Sequence, residues 1–336
     1  MAEDVVFSAL SVNAVLPGAP IILFSEAAAL YPTPDPPVDA YWHFGADNPT
    51  LADIISGQRL RRNVQHTITA AGTGYTTRPT VVYAGGGSDP GKVYPTATAL
   101  IASGGVTGVV IQSPGHDYDD TLTVSFTGGG GTGATASVHI GAAPTLGAGT
   151  LTIPDGNSGA WRNGLLTPFD DSADYSQMVV AKIVSPTSRV FMGSLSLSTT
   201  LTGSGGDGLF QLSVSGNNVR TMTGAAALVP VPAAAVGGTF LMMVHKYRSS
   251  DAKRTVTYYV NGVPTTFDAT VSPAKTVSSP MRKLAFGNGY YQVATVYSAL
   301  EIAAGAYAGR YLSPEDELAL YEYAAEYLPA RGVPLL

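Results

Sequence analysis

The chain contains no cysteine, which excludes disulfides, thiolate metal sites and cysteine nucleophiles. Charge is scarce too: Asp, Glu, Lys and Arg make up 12% of residues, against roughly 25% in an ordinary soluble domain. No apolar run reaches the roughly 18 residues of a membrane-spanning helix, so no membrane insertion is expected. Met1-Ala2-Glu3-Asp4 lacks the positive start of an export signal, and a chain soluble when made is expected. The formal net charge of −6 argues against a surface that tracks phosphates, although Arg59, Arg61 and Arg62 form a short basic run. Nucleic acid is therefore not an expected partner.

What is abundant is glycine and proline, 39 and 23 of 336 residues, with a mean hydropathy of +0.16. That profile suits a tightly turned β protein whose surface is covered by hydroxyls or by neighbouring subunits. A homo-oligomer is expected, a trimer being favoured. The length allows more than one compact unit.

Four segments are read along the chain. Residues 1–37 hold two short apolar runs, Val5–Leu10 and Ile21–Leu23, and end in a proline-rich stretch from Pro32 to Pro37, which favours an extended connector. This arm is too short to build its own core, so it is expected to dock on a partner or add a strand to the body. Residues 38–64 begin a β domain. Residues 65–142 contain an internal repeat, and residues 143–336 carry further strands with one short helix.

In the repeat, the stretch from Gly72 through Tyr75 to Tyr83 parallels that from Gly115 through Tyr118 to Phe126. A Thr-Val strand, a glycine run and an Ala-Thr-Ala-type strand follow each tyrosine, and Gly108–Gln112 links the copies. Further strands are expected at Met178–Val184, Val190–Ser196, Leu209–Ser215, Thr239–Tyr247, Thr255–Val260, Val263–Asp268 and Lys283–Phe286. Asn261-Gly262 marks a two-residue hairpin. Ser313 as N-cap, Pro314 and the acidic residues after it open a helix over 314–328, with Leu318, Tyr321, Ala325 and Leu328 at helical spacing.

The first repeat copy, with Gly72, Gly74, Tyr75, Pro79, Thr80 and Val81, resembles the Gly-Ser-Gly-Tyr-type glycine-rich repeats of phage tail and fibre proteins. The second copy departs from that pattern at His116, Asp117 and Leu122. The remainder resembles the concanavalin A-like, laminin-G-type jelly roll. It offers an opening strand at Ala40–Gly45, then Leu51-Ala-Asp53 and Gly57, the hairpin at Val260–Val263, Leu284–Gly287, a strand at Ala294–Tyr297 and Leu312–Glu317. The implied fold is an all-β jelly-roll β-sandwich with an inserted small β-repeat domain and one short C-terminal helix. Lengthening a loop costs only about 0.6 kcal/mol per doubling, so such an insertion is tolerable.

The chemistry is sparse. His43, His66, His116, His139 and His245 share no metal-binding spacing. Two acidic clusters occur, Asp117, Asp119 and Asp120, and Asp170, Asp171 and Asp174. For the second, two readings stand: a calcium site, as laminin-G-like domains often hold at loop tips, or solvated turn aspartates. No other cofactor is expected. No strand carries the paired carboxylates of a jelly-roll glucanase, and Glu315, Glu317, Glu322 and Glu326 read as a solvated helix face. The Gly128–Gly131 run lacks the Lys-Ser or Lys-Thr of a phosphate loop. Trp161, Asn163, Asn288, Tyr290 and Tyr291, with Asp155 nearby, are the candidates for a sugar platform, where rings stack on apolar sugar faces and amides bond the hydroxyls. Trp161 reads equally as a core cap and Tyr290-Tyr291 as a subunit contact.

The expectation is a non-enzymatic virion structural protein of a tailed phage, a tail-fibre or tail-tip component attaching to host-surface glycans. It would be made in the host cytoplasm, reside on the tail or capsid surface, and contact other virion proteins through residues 1–37. The alternatives are a head decoration, cement or head-fibre protein, and a polysaccharide depolymerase.

Overall fold

The computed structural model describes residues 38–154, 163–184, 189–194, 208–212, 218–223, 225–272, 274–277, 281–290 and 299–336. The chain divides into Met1–Thr33 and Pro34–Leu336, and the described residues all fall in the second unit. The reading of residues 1–37 as an arm, and the strand at Ala294–Tyr297, lie outside the described residues.

Two short strands come first, β1 (Ala40–His43) and β2 (Arg61–Arg62). Six more follow: β3 (Val64–Thr73), β4 (Thr80–Ala84), β5 (Thr96–Ala102), β6 (Gly105–Ser113), β7 (Thr123–Thr127) and β8 (Thr132–Ile140). Then come β9 (Thr145–Leu146), β10 (Leu151–Ile153), β11 (Leu165–Asp170), β12 (Tyr175–Lys182), β13 (Arg189–Gly193), β14 (Gly208–Leu212), β15 (Asn218–Thr223) and β16 (Ala225–Pro230). The last strands are β17 (Phe240–Arg248), β18 (Lys253–Val260), β19 (Val263–Thr270), β20 (Lys283–Phe286) and β21 (Leu300–Ala308), and helix α1 (Pro314–Tyr327) follows them.

These strands build a jelly-roll sandwich. One sheet runs β19-β18-β17-β12-β21-β10-β9, with β1 also paired to β21; the other runs β16-β15-β14-β13-β20-β11-β2. Strand alternation explains why the first sheet reads as nearly continuous apolar sequence, since successive side chains point to opposite faces. In β12 and β17, Tyr175, Val179, Leu241 and Met243 enter the core between the sheets. Met178, Val180, Met242 and Val244 enter a second core beneath α1, with Tyr41, Leu320, Tyr323 and Tyr327. At β12 and β17 the sheet is therefore buried on both faces.

The inter-sheet core centres on Phe286, whose ring lies 5.3 Å from that of Trp42 and 5.4 Å from that of Phe44. Gly305 makes room for it: a Cβ there would sit 2.2 Å from Phe286 Cε1, which is why a glycine stands in mid-strand.

Between β2 and β9 the chain leaves the sandwich. Val64 of β3 pairs with Ile140 of β8, so departure and return are neighbours, and β6-β5-β4-β7 form a separate four-stranded sheet. The two tyrosines of the repeat are used reciprocally. Tyr75 lies against Gly129 and Gly131 of the second glycine run, while Tyr118 lies against Gly86 of the first, at separations that leave no space for a Cβ. Between them β4 and β7 pair directly, Val81 with Phe126 and Tyr83 with Val124. This module packs on the outer face of the seven-stranded sheet, where Tyr83, Ile111 and Leu122 meet Leu166 and Ala285. Four layers result: helix, sheet, sheet, module.

Local turn chemistry follows the sequence. Asn261 and Gly262 adopt φ of 50° and 78°, closing the β18–β19 hairpin. Asp53 of the Leu-x-Asp segment accepts from the backbone of Ile55, Ser56 and Gln58. Ser313 and Asp316 form a reciprocal capping box at the start of α1.

Two expectations need correction. The helix buries Glu317, Leu320, Tyr323, Ala324 and Tyr327, whereas Leu318 is 40% exposed, because the aromatic second core on β1 and β17 selects that face. Glu317 accordingly leaves the solvated set, where Glu315, Glu322 and Glu326 remain.

Candidate functional site

Register builds a groove on the helix side of the eight-stranded sheet. Lys246 and Arg248 of β17, Thr255, Thr257 and Tyr259 of β18, and Pro264, Thr266 and Asp268 of β19 share that face by alternation. Cross-strand pairing sets them in rows, Lys246–Thr255–Asp268 and Val244–Thr257–Thr266. Tyr311 and the first turn of α1, with Pro314, Glu315 and Leu318, wall a cavity of about 550 Å³ over these rows.

The charges in the groove are matched internally. Lys253 Nζ lies 2.8 Å from Asp268 Oδ2. Lys246 pairs with Glu317, their side chains 4% and 2% exposed, and donates to the Leu312 carbonyl at 2.8 Å. Arg248 pairs with Asp251 at 2.6 Å. Burial pushes the Glu317 carboxyl above its ordinary value, with Lys246 pulling it back. For Asp268, burial is outweighed by hydrogen bonds from Lys253 and Thr255, which hold the carboxyl below its ordinary value. The Tyr311 ring centroid lies 4.2 Å from Lys246 Nζ and 4.9 Å from Arg248 Cζ, and its hydroxyl is bonded to that of Thr255. Chemically, the groove offers hydroxyls and paired charges beside apolar tyrosine, proline and leucine surface, without a net local charge.

Of the sugar candidates singled out in the sequence, the structure brings Asn163, Asn288 and Tyr290 to one seam. Trp161, Tyr291 and Asp155 lie outside the described residues. Asn163 uses its side chain structurally, accepting from Ala142 N at 2.9 Å and donating to the Pro154 carbonyl at 3.3 Å. Asn288 receives Gly164 N on its backbone carbonyl at 2.9 Å. Asn163 and Asn288 thus flank Gly164 at the seam where the module rejoins the sandwich. Tyr290 packs in that seam among the Leu166 and Ala285 cluster, and its hydroxyl accepts from Lys283 N at 3.1 Å.

The three aspartates part company. Asp170 pairs with Lys283 at 2.8 Å and the buried Asp171 with Lys275 at 3.0 Å, while Asp174 accepts from Ser249 N at 2.6 Å. Among the described residues, no group of three or more His, Asp or Glu side chains is arranged to hold a metal ion.

Sequence reasoning missed Tyr311 and the β17–β19 rows. The alternation Thr255-x-Thr257-x-Tyr259 was a signal for one polar face, but the register that joins three strands into a floor is not written in any one of them.

No protein-family model and no curated protein matches the chain. Among solved structures, it is similar to a basic winged bean lectin in complex with Tn-antigen, at 12% identity and a TM-score of 0.33, over 47% of this chain and 85% of that one. It is similar to arcelin-5, a lectin-like defence protein of Phaseolus vulgaris, at 9% identity and a TM-score of 0.35, over 49% and 88%. It is also similar to the CBM40 of a Ruminococcus gnavus IT-sialidase bound to α2,3-sialyllactose, at 14% identity and a TM-score of 0.34, over 45% and 83%. The assignment of the fold rests on the sheets described above.

Proposed function

We propose that this chain is a non-enzymatic glycan-binding protein of a virus particle, a phage tail-fibre or tail-tip component that holds host-surface sugars in the groove beneath α1. The observation that carries the reading is the groove itself. Thr257 and Thr266 lie across from each other on its floor, Tyr311, Pro264 and Leu318 supply apolar surface, and every Lys on the floor is neutralised by a carboxylate. A sugar presents the complementary pattern of apolar C–H faces and hydroxyls. The carboxylates support binding over hydrolysis, because Asp268 and Glu317 are each held by a lysine rather than poised as a free acid and base.

The virion setting is supported by the tyrosine-glycine repeat, by the low charge of the surface, and by the gain that identical copies bring. In a homotrimer anchored through residues 1–37, weak single sites add to a tight multivalent contact. Immunogold labelling of particles with an antibody to residues 143–336 separates a tail location from a head decoration or cement role.

The test of function is a glycan array probed with the purified chain and with Tyr311→Ala, followed by incubation of the array's positive polysaccharide with the chain. Binding that the substitution abolishes, with no new reducing ends released, is the expected result. Cleavage would make the protein a depolymerase, and an array without signal would overturn the reading.

A further inference from the structure

A second cavity, of about 460 Å³, lies at the seam of module and sandwich. Arg59 and Arg61 come from the segment that ends the first part of the sandwich, Lys283 from β20, and Ser113 and His116 from the module. A smaller hollow of about 220 Å³ adjoins it, sharing Arg61 and His116 and adding Arg62. Almost a quarter of the chain's 18 Lys and Arg residues therefore meet in one place on a protein whose net charge is negative.

Lys283 is matched by Asp170, but Arg59 and Arg61 differ from the cations of the groove. Among the described residues, Arg59 and Arg61 have no carboxylate within ion-pair distance. The nearby acids pair with other residues of the lining: Asp117 with His116 Nδ1 at 2.8 Å and Asp170 with Lys283 at 2.8 Å. Arg62 donates to the Gly141 carbonyl at 3.3 Å. Partial burial and the neighbouring Arg59 press the Arg61 guanidinium below its ordinary value, with Asp117 and Tyr118 pulling it part of the way back. Like charges held together in a partly dry cleft are a standing repulsion that a bound anion relieves, and guanidinium forks match the two oxygens of a carboxylate or sulfate.

We propose that the seam cleft binds the anionic oxygen group, carboxylate or sulfate, of an acidic polysaccharide, with Arg59 and Arg61 as its principal contacts. The saccharide carrier follows from the glycan reading above and from the size of the cleft, which accommodates one or two sugar rings. A nucleic acid is disfavoured because the protein carries a net charge of −6 and its basic run is short. The cleft contributes a charge-dependent contact distinct from the hydroxyl-reading groove.

The experiment is calorimetric titration of the full chain with tetragalacturonate, a sulfated dextran tetrasaccharide, the neutral tetrasaccharide of galactose, and a 20-residue oligothymidylate. Arg59→Gln/Arg61→Gln and Tyr311→Ala are titrated beside it. The expected result is binding of one or both acidic saccharides that weakens as salt rises, falls at least tenfold in the double arginine variant and survives Tyr311→Ala. The preferred acidic probe identifies the anion as carboxylate or sulfate. Failure of both acidic saccharides to bind, equal binding by the arginine variant, binding of the neutral probe to Tyr311→Ala as tight as that of the acidic ones, or tighter binding of the oligothymidylate would each overturn the proposal. None of these outcomes touches the Tyr311-dependent binding by which the groove is judged.

Discussion

The groove beneath α1 and the cleft at the module seam are similar in size and opposite in electrostatic design. The groove stands where the eight-stranded sheet passes from buried β17 to exposed β19, and its lysines are neutralised from within, Lys246 by Glu317 and Lys253 by Asp268. The cleft stands where the module meets the sandwich, and Arg59 and Arg61 face it without counter-ions among the described residues. A self-neutralised site contributes to the fold and reads shape and hydroxyls. An unmatched one contributes nothing to the fold and waits for charge.

The largest effect should come from breaking the neutralised side. Lys246→Met leaves Glu317 buried without its partner, and the loss should be about 3–5 kcal/mol, as for other severed buried pairs. A urea titration checks it, and Lys246→Met combined with Glu317→Gln should recover much of the loss because no lone charge remains.

A smaller change should act on the module alone. Gly129 has φ of +74° and a Cβ there would meet the Thr77 carbonyl at 2.7 Å, so Gly129→Ala should destabilise by about 1–2 kcal/mol or more from the left-handed backbone. Hydrogen exchange should rise across residues 64–140 and leave β17–β19 unchanged.

The turn signals in the sequence were read correctly because they are local. Asn261-Gly262 supplies its own positive φ, and Ser313-Pro314 with Asp316 caps its own helix. The two-tyrosine repeat was likewise visible, although its use was not, since each tyrosine serves the other copy's glycines. The β-sandwich with its C-terminal helix was legible as well, but the choice of which helix face and which strands build the groove was not. Helical spacing alone placed Leu318 inward and Glu317 outward, yet β17 presents Lys246 opposite the helix, and a buried ammonium requires a buried carboxylate. Strands β15 and β16 went unread because Asn218–Thr223 is mixed in polarity and Ala225–Pro230 is alanine-rich and ends in proline, and the two are joined to the sheet through β14. The groove was invisible for the same reason, being made from the register of three strands.

Acid should distinguish the two regions next. Burial holds His43 and His66 down to about 4 and His245 to about 3, while an unfolded histidine titrates near 6.5. Each folded value is depressed, so the unfolded chain binds more protons below pH ~6.5, and stability falls as pH drops from there toward about 4. The slope is up to ~1.4 kcal/mol per pH unit for each histidine. His66→Gln should remove the His66 share from an acid denaturation curve and leave that of His43 and His245.

The smallest effect belongs to the unmatched side. Arg59→Gln/Arg61→Gln removes no ion pair, so thermal unfolding should move by no more than the ~0.5 kcal/mol typical of surface changes.

The central claim is that the groove, and Tyr311 within it, reads a glycan. Calorimetric titration of the array's strongest neutral glycan into the chain and into Tyr311→Ala tests it most directly, with matched thermal unfolding confirming that both are folded. At least a tenfold loss of affinity in the variant is predicted; equal affinity in the two proteins would contradict the account.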